Sequence, residues 1–146
     1  MRRVETGETY IGEVPLALFQ GSAFKSQKYL EVAVEIVLQG AKNLGISQDE
    51  PIHVCSGYIL IAARDALKER GFRVTEKKIT GKTQELAKNE FIESLVRLGM
   101  GDKDEVAELR SFDSFLRWVH EDLGSRERFV KTGWTAWSRL KREGRK

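Results

Sequence analysis

The chain has 146 residues, 40% apolar and 32% charged, with 13 glycines, 2 prolines and a single cysteine. That composition fits one soluble domain of ordinary size and excludes a disordered tail, a coiled coil, an internal disulfide framework and any multi-cysteine zinc site. No run reaches the roughly 18 apolar residues needed to span a bilayer. Glu5, Gly7 and Glu8 follow Met1-Arg2-Arg3 where a signal peptide would be apolar, so a cytoplasmic protein without a membrane partner is expected.

The formal charge of +3 is unevenly spread. From Ser125 to Lys146 there are eight basic residues, Arg126, Arg128, Lys131, Arg139, Lys141, Arg142, Arg145 and Lys146, against the acids Glu127 and Glu143, a net +6. The preceding 124 residues carry −3, so the pI near 9.0 belongs to the last stretch. Trp134 and Trp137 lie inside that stretch and Trp118 just before it. Cations interleaved with aromatics suit a phosphate backbone with exposed bases.

In chain order, Tyr10, Val14, Leu16 and Leu18 alternate with Ile11, Glu13, Pro15 and Ala17, a period-two pattern that Pro15 pushes toward a sheet edge. With a turn at Thr6-Gly7 it predicts an N-terminal hairpin of two antiparallel strands. Ser22 or Ser26 caps a predicted helix ending near Leu44, with Gly45 as its stop. Its apolar positions cover most of the circumference, and the remaining stripe is Lys28, Glu31, Glu35, Gln39 and Lys42. This is the expected central buried helix. Ile52–Cys55 reads as a strand, Tyr58–Arg70 as a helix stopped by Gly71, and Phe72–Ile79 as a second strand. Their span predicts one βαβ crossover with parallel neighbours.

Thr80-Gly81-Lys82-Thr83 then leads into a helix over Gln84–Leu98, closed by Gly99. A helical stripe at Leu109, Phe112, Leu116, Val119 and Leu123 and a last helix over Arg128–Lys141, weakened at Gly133, complete the chain. The expected fold class is α/β: a small mixed sheet with an N-terminal hairpin, a buried central helix, one βαβ crossover and a helical C-terminal extension. Residues 1–100 form the α/β domain and 101–146 the helical extension with its basic tail.

Two strand-to-helix turns carry the chemistry. If the strands are parallel, Ser56-Gly57-Tyr58 and Thr80-Gly81-Lys82-Thr83 both open at the carboxyl edge. There free helix N–H groups, small residues and the Lys82 charge favour an anion, most simply phosphate. The same hydroxyls also serve as plain N-caps. A P-loop needs glycine where Glu76 stands, a dinucleotide fingerprint needs further glycines around Gly57, and a cysteine phosphatase loop needs arginine where Ile61 stands. His120-Glu121 lacks the second histidine of a zincin, and His120 sits on the apolar stripe of its helix. Cys55 with His53 two residues earlier is a candidate thiolate nucleophile, set against a buried structural cysteine. Glu31 and Glu35 are candidate catalytic or metal-binding carboxylates, with Glu13 reaching the same region, for magnesium or manganese if the chain is a nuclease. An exposed, solvated helix edge explains the same pattern.

Over roughly residues 8–98 the order hairpin, helix, strand, helix, strand, helix resembles, as topology, the later two-thirds of a ribonuclease H-like domain. That resemblance implies an acidic set, for which Glu13, Glu31 or Glu35, and Glu85 or Glu90 would stand. The family also carries an acid after the strand that follows its first helix, where this chain has Cys55, Ser56 and Gly57, so nuclease activity does not follow from it.

The function expected from these features is binding of a phosphate-bearing partner, nucleic acid first. Arg126, Arg128, Lys131, Arg139, Lys141 and Arg142 would contact phosphates, Trp134 and Trp137 would stack, and Ser56, Gly57, Tyr58, Thr80, Gly81, Lys82 and Thr83 would form the anion pocket. The competing classes are a small enzyme acting on a nucleotide or phosphorylated metabolite, and an interaction adaptor or homo-oligomer.

Overall fold

A computed structural model describes residues 1–109 and 111–143. Arg145 and Lys146 of the expected basic tail lie outside the described residues. A 3-10 turn at Leu16–Phe19 precedes α1 (Gly21–Lys25), α2 (Lys28–Asn43), β1 (Pro51–Val54) and a 3-10 turn at Tyr58–Leu60. Then come α3 (Ile61–Glu69), β2 (Arg73–Glu76), α4 (Lys82–Arg97), α5 (Lys103–Glu108), α6 (Phe112–Glu121), α7 (Leu123–Arg126), a 3-10 turn at Glu127–Phe129 and α8 (Trp137–Glu143).

β1 and β2 pair in parallel, Ile52 opposite Val74 and Val54 opposite Glu76, with α3 as the crossover between them. The sheet has these two strands alone among the described residues and is parallel, not mixed. Ile52 and Val54 alternate inward and pack with Leu67 of α3 and Ala41 of α2. This burial on one face is what holds so small a sheet, since an isolated strand pair is marginal in water.

The expected N-terminal hairpin shrinks to one antiparallel bridge, Arg2 with Thr9, around Gly7. The alternating stretch from Tyr10 onward is not a strand; it runs as loop into the 3-10 turn that Pro15 caps. The reason is packing. Gly12 presses against the Ile36 side chain of α2 with no room for a Cβ, so this segment lies on a helix instead of beside a strand. The expected helix from Ser22 to Leu44 is likewise divided, because Gln27 turns left-handed at φ 56° between α1 and α2. α2 buries Tyr29, Ala33, Gly40 and Ala41 while Lys28, Glu31, Glu35, Gln39 and Lys42 are exposed, so it is a half-buried helix and not a fully enclosed one.

One device ends α2, α3 and α4. Gly45, Gly71 and Gly99 each take positive φ (58°, 83° and 78°). The next residue's N–H then returns to a carbonyl five residues back: Ile46 to Ala41, Phe72 to Leu67, Met100 to Leu95. Ile46, Phe72 and Met100 each join a hydrophobic cluster, so each helix stop also aims an apolar side chain inward.

The second half of the chain builds its own apolar clusters. Leu95, Met100 and Val106 pack with Phe115 and Trp118, across the boundary expected near residue 100. Val119, Trp137 and Leu140 form a third group. Asp102 and Ser111 start α5 and α6 with capping boxes. The expected helix over Arg128–Lys141 is regular only from Trp137, because 130–136 docks on the α1 region. Gly133 N–H donates to the Phe19 carbonyl at 3.2 Å, and the Thr132 hydroxyl accepts from Gly21 N–H at 3.0 Å. Near the start of the chain, Arg3 donates to the Leu44 carbonyl at 2.7 Å and pairs with Glu50 at 2.5 Å. The Ser47 backbone N–H first, then Arg3, hold the Glu50 carboxyl below the usual carboxylate range.

Two outcomes are expected. Gly133→Ala should destabilise the protein by about 1–3 kcal/mol in urea unfolding, because its methyl group would overlap Phe24 Cβ. A depressed carboxylate stabilises the fold above its unfolded pKa, and that contribution is lost as pH falls through the folded value. Thermal melting of the parent and Glu50→Gln should therefore differ at neutral pH and converge in acid.

Candidate functional site

The site begins with Arg64, the one buried charged residue among those described, at 9% exposure. It stands on the inner face of α3, three residues before Leu67 and four after Leu60. One guanidinium nitrogen donates to the Cys55 carbonyl at 2.6 Å, just past β1, and the other meets Glu76 Oε2 at 3.1 Å, at the end of β2. The Lys77 N–H donates to the Val54 carbonyl at 2.9 Å. Both strands therefore deliver their loops from adjacent points on one edge.

The first loop presents Ser56, Gly57 and Tyr58, all exposed, with Cys55 half-buried behind them. The Tyr58 phenol reaches Tyr29 on α2, whose own pKa is raised first by burial and then by that neighbour. The second loop presents Thr80, Gly81 and Lys82 exposed, and Thr83 half-buried. Gly81, at φ 64° and ψ −145°, precedes the first turn of α4, and no side chain caps that turn. Thr83 is therefore not the N-cap that a plain reading of the motif suggests. Lys77, Lys78 and Lys82 are exposed and form no ion pair among the described residues. Sequence reasoning singled out Lys82 alone; the short β2 adds Lys77 and Lys78 to the edge by releasing the chain after Glu76.

The candidate carboxylates do not assemble. Glu31 and Glu35 are exposed on α2, while Glu13 pairs with Arg97 of α4 at 3.3 Å. Among the described residues no three His, Cys, Asp or Glu side chains gather to hold a metal ion. No hydrogen bond joins His53 to Cys55. His120 is half-buried, and its Nε2 has no partner among the described residues.

Two cations of the basic tail, Arg126 and Lys141, are engaged inside the molecule. Glu127 accepts from the Trp137 indole N–H at 2.8 Å and from Lys141 at 2.7 and 2.8 Å. Arg126 donates to the Trp118 carbonyl at 2.6 Å, pairs with Glu121 at 3.0 Å and lies 4.3 Å from the Trp118 ring centroid. Trp137 is 5% exposed and belongs to the core, which corrects its expected stacking role. Trp134 is exposed, edge-on to Phe112. Lys131 rests on the faces of Phe24 and Phe19. Arg128, Arg139 and Arg142 remain exposed; Arg128 covers Phe129, and Arg139 faces Glu143 at 3.9 Å.

Two grooves flank α4. One, of about 350 Å³, runs between α2 and α4 and includes Thr83, Glu13 and Arg97. The other, of about 460 Å³, lies between α4, α6 and the tail. Ser56, Gly57, Tyr58, Thr80, Gly81 and Lys82 line neither of these grooves and are exposed. No helix among the described residues is long and apolar enough to cross a membrane. No protein-family model matches the chain, and neither a curated protein nor a solved structure matches it significantly.

The two bonds of Arg64 differ in worth. Glu76 is half in solvent, so Glu76→Gln should cost about 1 kcal/mol or less. Arg64→Met, which also orphans the Cys55 carbonyl, should cost about 1–3 kcal/mol. Urea unfolding of both variants checks the order.

Proposed function

We propose that this chain binds a phosphate-bearing polyanion, nucleic acid fitting best, across the carboxyl edge of its parallel strand pair. The observation that carries this reading is that Lys77, Lys78 and Lys82, exposed and without ion pairs among the described residues, follow β2 at the same end of the strand pair from which Ser56 and Gly57 follow β1. Amide donors, a hydroxyl and three ammonium groups on one edge match phosphate oxygens.

Exposure of the loop residues favours one kind of partner. A small phosphorylated metabolite gains its affinity from enclosure, whereas Ser56, Gly57, Tyr58, Thr80, Gly81 and Lys82 are exposed. A long polyanion gains it from many exposed contacts and counterion release. Phe91, Ser94 and Leu95 of α4 share a groove with Val130, Lys131 and Trp134 of the extension, and the helix spans roughly 24 Å at about 1.5 Å per residue. At about 3.4 Å per phosphate along one duplex strand, that is roughly seven phosphates. Binding is then independent of sequence, because no residue assigned here reads a base edge.

The test is the salt dependence of binding to a fluorescent single-stranded oligonucleotide. Each lost phosphate contact lowers the slope of log K against log salt by about 0.7. Replacing Lys77, Lys78 and Lys82 together by alanine should lower it by about 2, with an unchanged melting temperature. An unchanged slope overturns the edge assignment.

A further inference from the structure

The larger groove is a site of different chemistry, independent of the polyanion reading. Its volume of about 460 Å³ falls within the roughly 300–1,000 Å³ of small-molecule pockets. Leu95 and Val119 form buried parts of its wall, and Phe91, Phe112 and Trp134 stand 52%, 57% and 42% exposed along it. Large aromatics left this exposed in one concave strip mark a binding surface.

Apart from the indoles, only Glu13, Ser94 and Lys131 among the described residues bring polar side-chain groups to the groove. Two of the three are already satisfied: Glu13 by Arg97 at 3.3 Å, and Ser94, whose hydroxyl donates to the Phe91 carbonyl at 2.8 Å. Lys131 has no ion pair among the described residues. Its ammonium lies 4.2 Å from the Phe24 centroid and 5.9 Å from that of Phe19, a groove residue. Ring faces satisfy a cation weakly, by about 0.5–1 kcal/mol at an exposed site. The groove is thus an apolar bed with one uncompensated positive charge.

We propose that this groove binds a small amphiphilic carboxylate, its alkyl or aryl body against Phe112, Phe115 and Trp134 and its head on Lys131. Charge complementarity selects the head, since Lys131 is the one cation lining the groove among the described residues and has no carboxylate partner there. The walls select the body. Nucleobases fit worse, because their ring-edge donors and acceptors would be buried without partners. The volume of about 460 Å³ suits a single small molecule.

Trp134 and Trp137 line the groove, so tryptophan fluorescence of the full chain reports occupancy. Decanoate, titrated well below its micelle threshold, should give a saturable one-to-one change. Lys131→Met should weaken decanoate about tenfold and leave the uncharged decan-1-ol unaffected, while Phe112→Ala weakens both. Both positions are exposed, and circular dichroism melts verify that the variants fold. The proposal is overturned if decanoate gives no saturable change, if Lys131→Met binds it as the parent does, or if sedimentation shows that the change tracks dimer formation.

Discussion

The guanidinium of Arg64 is the constraint on which the carboxyl edge depends. Two four-residue parallel strands carry few ladder bonds, and nothing in their own sequences fixes where they end relative to each other. Arg64 does so from the crossover helix, with one arm on the carbonyl after β1 and the other on the carboxylate that closes β2. A buried cation needs such partners, because leaving it unpaired costs more than any single bond returns. The same residue also pairs with Glu76 at the end of β2, while Glu85 stands in the first turn of α4.

The charge pattern behaves differently in the extension. Read along the chain, eight basic residues promise a cationic arm. In space, Glu127 gathers Lys141 and the Trp137 indole, and Arg126 is held by Trp118 and Glu121. The Glu127 contacts join α8 to the 3-10 turn before it, and Trp137 and Leu140 pack on Val119 while Arg128, Lys131, Arg139 and Arg142 stay exposed. Lys77, Lys78 and Lys82, by contrast, are exposed and form no ion pair among the described residues.

What was legible in the sequence was local. Gly45, Gly71 and Gly99 stop their helices because only glycine takes those backbone angles without cost, and that signal needs no tertiary context. The strand, helix and strand from Ile52 to Glu76 were legible for the same reason, through length and spacing. The N-terminal alternation misled because period two describes any segment lying along a surface, and only contact with Ile36 shows that the surface is a helix. Of the candidate site, both loops were legible as turns. The role of Arg64 was signalled only by its place between Leu60 and Leu67 on the apolar side of α3, and the partners of Glu127, ten and fourteen residues away, had no sequence signature at all.

The central claim is that both loops act as one anion-binding edge. Amide spectra of the nitrogen-15-labelled protein, recorded as a short deoxythymidine oligonucleotide is added, test it most directly. The account predicts joint, salt-sensitive shifts at Ser56–Tyr58 and at Lys77–Thr83, saturating together. Shifts confined to Arg128–Glu143, or absent from either loop, would contradict it.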